Sequence, residues 1–384
     1  MNSISSRSYA SVAGSYAYTG YGTSDTGKTK TNTVASSAGT NSSSKAEQGT
    51  GAVSSSYSDV PASKKTVVTG QTIGNPKLSE KAAKYYDQLK KKYSNMNFIL
   101  VSEDMKQQAK ANASSYANAN NMVVLIDEDK IELMREAGRI LAAVHQQLGK
   151  EIKPGMSTKD VDRLGEEMIR SYGCEPSFLN YCGYPASICV SVNEEVVHGI
   201  PSDDRILQDG DIVSLDAGVI YKGYHSDAAR TVGVGEISEE ARLLIERTRL
   251  SFFAGIKNAV AGKRLYDISG AIEQFAHQFG YGVVYDLVGH GIGTHLHEDP
   301  EVPNFRPQGF KKGLRLKPGM TLAVEPMINA GTPDVLWMDD EWTVITEDMS
   351  LSAHYENTIL ITNGKPEILS LTEEEKEAGF LELL

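Results

Sequence analysis

Hydrophobic and polar positions divide the 384-residue chain into three stretches. From Met1 to about Thr72, single valines are scattered among Ser, Thr, Gly, Ala and Tyr with neither a helical nor a strand period. Such a stretch buries too little apolar surface to offset the entropy of ordering it, so residues 1–75 are read as disordered. From Pro76 to Ile126 the texture alternates between lysine-rich LSEKAAKYYDQLKKKYSN, apolar NFILV, polar SEDMKQQAKANASSYANA and apolar MVVLI. That order predicts helix, strand, helix, strand over residues 76–126, an accessory segment with too thin a core to reveal its role.

Residues 127–384 carry a continuous globular pattern. Ile131, Met134, Ile140 and Leu141 recur at helical spacing, and Lys153-Pro154-Gly155 stops the helix. Ser157-Thr158-Lys159-Asp160 opens a second helix that runs through Ile169 and closes near Gly173. Strand-like SICVSVN and DIVSLDAGVIY follow, then helices over about Glu239 to Ala261 and Leu265 to Gly280, then strands around TLAVEPM, EWTVITE and YENTILIT. Helices mixed with mostly antiparallel strands predict an α+β domain.

Charge follows the same division. Residues 1–125 carry a net +7 and the remainder −19, which sum to the overall −12. An acidic globular part repels nucleic-acid phosphate. The three cysteines, Cys174, Cys182 and Cys189, form no CxxC pair, which argues against a disulfide framework and fits a reducing compartment. No signal-peptide stretch opens the sequence and no run of about 18 apolar residues occurs, so a cytoplasmic protein without a membrane partner is expected.

Four segments carry candidate chemistry. In IVSLDAGVIYKGYHSDAARTV, a hairpin centred between Tyr221 and Lys222 would set Asp216 directly opposite Asp227. Facing carboxylates are destabilising unless a cation lies between them. VGHGIGTHLHEDP places His290, His295 and His297 among glycines, where ligands or polarising groups fit better than core residues. Glu325 interrupts apolar LKPGMTLAVEPMI, and Glu356 enters the strand of AHYENTILIT. Singly, the ordinary explanation for either glutamate is a structural salt bridge. Together, four carboxylates and one imidazole favour Mn²⁺, Fe²⁺ or Co²⁺ over a thiolate-type zinc site, and HExxH is absent. Two such ions bridged by carboxylates constitute a hydrolytic arrangement.

In order and context, Asp216, Asp227, His290, Glu325 and Glu356 resemble the metal ligands of the methionine aminopeptidases, whose fold is the pita-bread fold. GYPASICVSVNEEVVHGIP resembles the type I segment in which His198 lines the site, and the likeness covers roughly residues 127 to 370. Only 28 positions separate His297 from Glu325, too few for the type II insertion. The resemblance implies removal of the initiator methionine from nascent chains with a small second residue. It implies two divalent ions per chain, Co²⁺, Mn²⁺ or Fe²⁺, with Zn²⁺ also compatible. Asp216 and Glu356 would bridge them, Asp227 would bind one, and His290 and Glu325 the other. Glu325 would serve as general base, with His297 at the substrate amide or oxyanion and His198 positioning the substrate. Phe178, Tyr181, Tyr184, Cys189, Leu296 and Trp342 would form the methionine pocket. His225 and His295 receive no catalytic role, and His145 and His277 are expected to be structural. The competing expectations are an Xaa-Pro peptidase and a binding module on the same fold. A monomer is expected, with a ribosome contact through the lysines of residues 1–126 as a further hypothesis.

Overall fold

The computed structural model describes residues 128–307 and 312–384. The stretches 1–75 and 76–126, with the disorder and the helix-strand order expected of them, lie outside the described residues.

Helix α1 (Glu128–Glu151) begins with Glu128 and Asp129 and carries Lys150 in its last turn, charges that complement the helix dipole. Ile131, Met134, Ile140 and Leu141, whose spacing predicted it, are all buried. Helix α2 (Thr158–Ser171) opens with a capping box in which Ser157 Oγ accepts from the Asp160 amide at 3.0 Å and Asp160 Oδ2 accepts from the Ser157 amide at 2.9 Å. Strands β1 (Glu175–Pro176), β2 (Ile188–Val192), β3 (Glu195–Val197), β4 (Ile212–Tyr221) and β5 (Tyr224–Gly233) follow.

Helices α3 (Glu239–Ile256) and α4 (Leu265–His277) stop short of the predicted Ala261 and Gly280. After α3 the backbone leaves the helix to bridge Thr362 from Val260, and the Ala261 amide donates to the Thr362 carbonyl at 3.2 Å. The chain then forms β6 (Gly282–Val283), β7 (Gly289–Gly291), β8 (Glu298–Val302), β9 (Thr321–Val324), β10 (Met327–Asn329), β11 (Val335–Trp337) and β12 (Val344–Thr346). It ends with β13 (Ser352–His354), β14 (Asn357–Leu360), β15 (Glu367–Ile368) and the short helix α5 (Glu373–Glu377).

Strand β4 pairs with β5 on one edge and with β1 and β2 on the other. A five-stranded sheet runs β15-β14-β9-β7-β8, and two three-stranded sheets run β13-β10-β6 and β11-β12-β3. The pairings in the largest sheet and in the β4–β5 hairpin are antiparallel. Helices α1 and α2 bury Leu141, Val161 and Ile169 with Ile188 and Leu215 of the β2–β4 face. Phe252, Phe253 and Ile268 of α3 and α4 pack with Leu322, Ile328 and Ile359. This is the expected α+β arrangement of antiparallel sheets flanked by helices.

The β4–β5 hairpin corrects the predicted register. Lys222 (φ 48°) and Gly223 (φ 84°) both take positive φ, the two-residue turn whose twist matches the flanking strands. Tyr221 therefore pairs with Tyr224, Asp216 with Ala229 and Asp227 with Gly218. The turn sits one residue later than expected, so Asp216 and Asp227 are diagonal neighbours and not direct partners. A shift of two positions in pairing preserves the face, so both carboxylates still project to the same side.

Glu325 and Glu356 do not lie within strands as expected. Glu325 falls between β9 and β10, where Pro326 has no amide to continue a ladder, and Glu356 falls between β13 and β14. β9 pairs with β14 in one sheet, and β10 pairs with β13 in another. Both glutamates thus stand where paired chain segments cross from one sheet to the next.

Arg230 locks this crossing. Its Nη1 donates to the carbonyls of Ala229 (2.8 Å) and Glu356 (2.5 Å), and its Nη2 to Asn357 Oδ1 (2.9 Å) and Glu375 Oε2 (2.8 Å). Tyr355 donates its phenol proton to Glu375 Oε1 at 2.8 Å and lays its ring 4.4 Å from the guanidinium carbon. Arg230→Met leaves the buried Glu375 carboxylate without its counter-charge. A loss of about 3–5 kcal/mol in unfolding free energy is expected. Urea titration at fixed metal concentration measures it, and a loss below about 1 kcal/mol would contradict the clamp.

Candidate metal centre

Asp216 on β4, Asp227 on β5, His290 on β7, Glu325 and Glu356 are all buried. His290 Nε2 stands 3.9 Å from Asp227 Oδ2 and 3.6 Å from Glu325 Oε1. Its Nδ1 lies 2.8 Å from the Gly291 carbonyl and takes the role of donor there, which leaves Nε2 with a lone pair facing the acids. The glycines around it have a steric cause. A Cβ at position 289 would come within 2.4 Å of the Ala323 carbonyl oxygen, and one at 291 within 2.3 Å of that of Asp299. β7 can pass between β8 and β9 only with bare backbone on either side of the ligand.

Donor atoms of Asp227, His290 and Glu356 lie within 4.8 Å of one another, and so do those of Glu325, His354 and Glu356. Asp216 belongs to neither triplet, but its charge raises the carboxyl of Asp227. The Thr358 hydroxyl fixes the Asp227 backbone, accepting from its amide at 2.9 Å and donating to its carbonyl at 2.9 Å.

Electrostatically the cluster is incomplete without a cation. Burial pushes Asp216 up to about 8. Asp227, Glu325 and Glu356 are raised well above the carboxylate range by burial first and then by neighbouring charge, that of Asp216 on Asp227, of Glu356 on Glu325, and of Asp227 on Glu356. His290 is held down to about 4 by burial, hence neutral and able to ligate. Asp216 Oδ1, Asp227 Oδ1 and Glu356 Oε1 are buried without a hydrogen-bond partner. Orphaned buried oxygens and mutual repulsion are what divalent ions relieve, so the donor set fits such ions.

The expected substrate residues gather beside this cluster. Phe178, Tyr184, Cys189 and Leu296 are buried in one apolar group, with Tyr181 and Trp342 packed against it. Cys189 on β2 is the cross-strand partner of Asp216, so the apolar group and the acid cluster share one pair of strands. Tyr184 and Trp342 meet edge to face at 5.1 Å, and the His198 ring centroid is 6.2 Å from that of Trp342. His297 crosses His290 at 4.4 Å between centroids, and its Nδ1 is 2.7 Å from the Tyr181 hydroxyl. Burial lowers His198 to about 4 and holds His297 well below its ordinary range. His145 is buried in α1 with Nε2 on the Ala228 carbonyl at 2.8 Å, and His277 closes α4. Sequence reading passed over His354. Its signal was its place two residues ahead of Glu356, the spacing that puts extended side chains on one face.

A family model described as metallopeptidase family M24 matches residues 132–363. The chain belongs to that family. This M24 peptidase is 53% identical to the methionine aminopeptidase of Clostridium acetobutylicum over 66% of its own length and 100% of the relative's. A methionine aminopeptidase crystal structure from Thermotoga maritima matches at 42% identity with a TM-score of 0.63, covering 65% of this chain and 100% of that one. Prolidase from Pyrococcus furiosus, at 21% identity and a TM-score of 0.53 over 71% of this chain and 74% of its own, shares the fold. The M24 peptidase is therefore a hydrolase of the methionine aminopeptidase group, and divalent metal ions go with that family. A second model, described as a protein of unknown function (DUF6033), matches residues 76–146.

Proposed function

We propose that the M24 peptidase removes the N-terminal methionine from nascent polypeptides whose second residue is small, using two divalent ions, Mn²⁺, Fe²⁺ or Co²⁺, with Zn²⁺ compatible. The carrying observation is the adjacency of a cation-demanding acid cluster and an apolar group that includes a buried thiol and aromatic rings. An unbranched thioether fits such a polarizable lining.

Asp216, Asp227, His290, Glu325 and Glu356 would hold the ions. Asp227, whose donor atoms approach those of both His290 and Glu356, would stand at the centre of this holding set. When bound, the ions acidify a water and polarise the scissile carbonyl. Phe178, Tyr181, Tyr184, Cys189, Leu296 and Trp342 bind the methionine side chain and exclude water around it. Glu325, with its raised proton affinity, takes a proton at Oε1 and returns it to the departing amine. Tyr181 donates to His297 Nδ1, leaving the proton on Nε2, where it is offered to the developing oxyanion. His198, buried and neutral, helps position the substrate.

Tyr181→Phe removes the donor to Nδ1 while keeping the ring. A fall of about tenfold in kcat, with KM changed less than about threefold, is expected from loss of one hydrogen bond. Equal losses in both constants would assign Tyr181 to the pocket alone.

The reading is tested with metal-free protein given Mn²⁺, Fe²⁺ or Co²⁺ in turn, on Met-Ala-Ser and Ala-Pro-Ala peptides. Metal-dependent methionine release from the first alone is expected. Cleavage of the proline peptide instead moves the chain to the Xaa-Pro activity, and bound metal with no turnover favours the binding module. A cytoplasmic monomer completes the proposal. The ribosome contact through residues 1–126 requires that their deletion abolish cosedimentation.

A further inference from the structure

His354 is 1% exposed, and neither ring nitrogen has a hydrogen-bond partner in the protein. A buried polar atom left so costs about 1–3 kcal/mol, which makes this imidazole an open account in an otherwise satisfied strand. The backbone around it is fixed: the His354 amide donates to Thr231 Oγ1 at 2.7 Å, and its carbonyl accepts from the same hydroxyl at 2.8 Å. The chain remains extended through Tyr355, which bridges Arg230, so the side chains at 354 and 356 leave on the same face. His354 Nε2 is 3.9 Å from Glu356 Oε2, and Glu325 lies within the same 4.8 Å group. His290 and Asp227 are grouped with Glu356 and not with His354. The glutamates are thus approached by His290 on the side of the other acids and by His354 apart from them.

A carboxylate that gives one oxygen to an ion has another to satisfy, and partners of that outer oxygen fix its orientation. Resting on the dinuclear reading above, we propose that His354 is a positioning residue for the metal centre. With the ions bound, its Nε2–H closes the 3.9 Å gap to the Glu356 carboxylate, with Glu325 in reach, and keeps those acids turned toward the ions. It is no ligand itself. The donor sits on the carboxylate shared by the two triplets, so both ions depend on it.

The test uses the full chain as wild type, His354→Phe, His354→Ala and His354→Gln, titrated with Mn²⁺ or Co²⁺ against a fluorescent chelator. X-ray absorption of the Co²⁺ forms gives the imidazole count. Phe and Ala lack the donor, and Gln carries an amide N–H at the position of Nε2. A Kd weakened about 10- to 100-fold is expected in Phe or Ala. Return to within about threefold of wild type is expected in Gln, with the Co²⁺–imidazole count the same in all folded forms. Unchanged affinity in Phe and Ala overturns the proposal. So does loss of one imidazole in any variant, which would make His354 a ligand, or failure of Gln to recover when it is folded. Wild type binding fewer than two ions per chain would instead break the dinuclear reading, and that stoichiometry is read independently of the variants.

Discussion

Glu356→Gln is expected to lower kcat/KM toward a Met-Ala-Ser peptide by at least about a thousandfold, since a metal centre supplies several kcal/mol and each 1.36 kcal/mol is a factor of ten. Glu356 is the acid common to both donor triplets, so its loss weakens both ion positions at once. The same substitution is expected to stabilise the metal-free protein. Burial, then the charges of Asp227 and Asp216, raise the Glu356 carboxyl, and a neutral amide of the same shape pays neither cost. A rise of a few degrees in Tm near pH 7.5 follows, since about 1 kcal/mol corresponds to about 2–4 °C in a domain of this size. Calorimetry after chelation measures it. Opposite signs in the two experiments identify a site that sacrifices stability for metal. Retained metal-dependent turnover would remove Glu356 from the ligand set, and an unchanged or lowered Tm would show that its repulsion is not a stability term.

The acids were legible in the sequence because each sits in a context that is costly without a purpose: a charge in an apolar strand or two aspartates on one hairpin. What the sequence did not contain was the geometry that decides how they meet. The hairpin centre was placed one residue early because Lys222 is not an obvious occupant of a positive-φ position, and only the pairing of Tyr221 with Tyr224 reveals it. The face survived, since strand periodicity forgives a shift of two. Glu325 and Glu356 were read as strand residues because the apolar runs TLAVEPM and YENTILIT are continuous, whereas each run is divided between two sheets. Pro326 was the available sign of that break. Arg230 and Glu375 are 145 positions apart, and no periodic pattern links such residues. His354 was missed because its spacing to Glu356 carries meaning only once that glutamate is known to be buried beside Glu325, and alone it reads as one more buried histidine.

Metal loading is expected to release more than one proton per chain near pH 7, and to stabilise the protein more as pH rises. In the metal-free state Asp216 holds its proton up to about 8, against a reference value of 3.8. A carboxyl raised in this way contributes stability that is complete below the unfolded pKa and is lost as pH climbs to about 8. His290, lowered to about 4 from 6.5, acts at the other end: its contribution is complete above 6.5 and fades as pH falls toward 4. Between pH 6.5 and 8, therefore, the histidine term is constant and the acids alone weaken the metal-free fold. Ions bind the deprotonated acids and the neutral imidazole, which removes that weakness and discharges the protons the acids were holding. At a thousandfold excess over Kd, each ion adds about 4 kcal/mol. Two ions then raise Tm by about 20 °C, and the gain is larger at pH 8 than at pH 6.5. Titration calorimetry in two buffers of different ionisation enthalpy counts the protons directly, and Asp216→Asn should release about one fewer. Binding without proton release would mean that the acids are already ionised in the empty site, so that the repulsion within the cluster is relieved by something other than the metal.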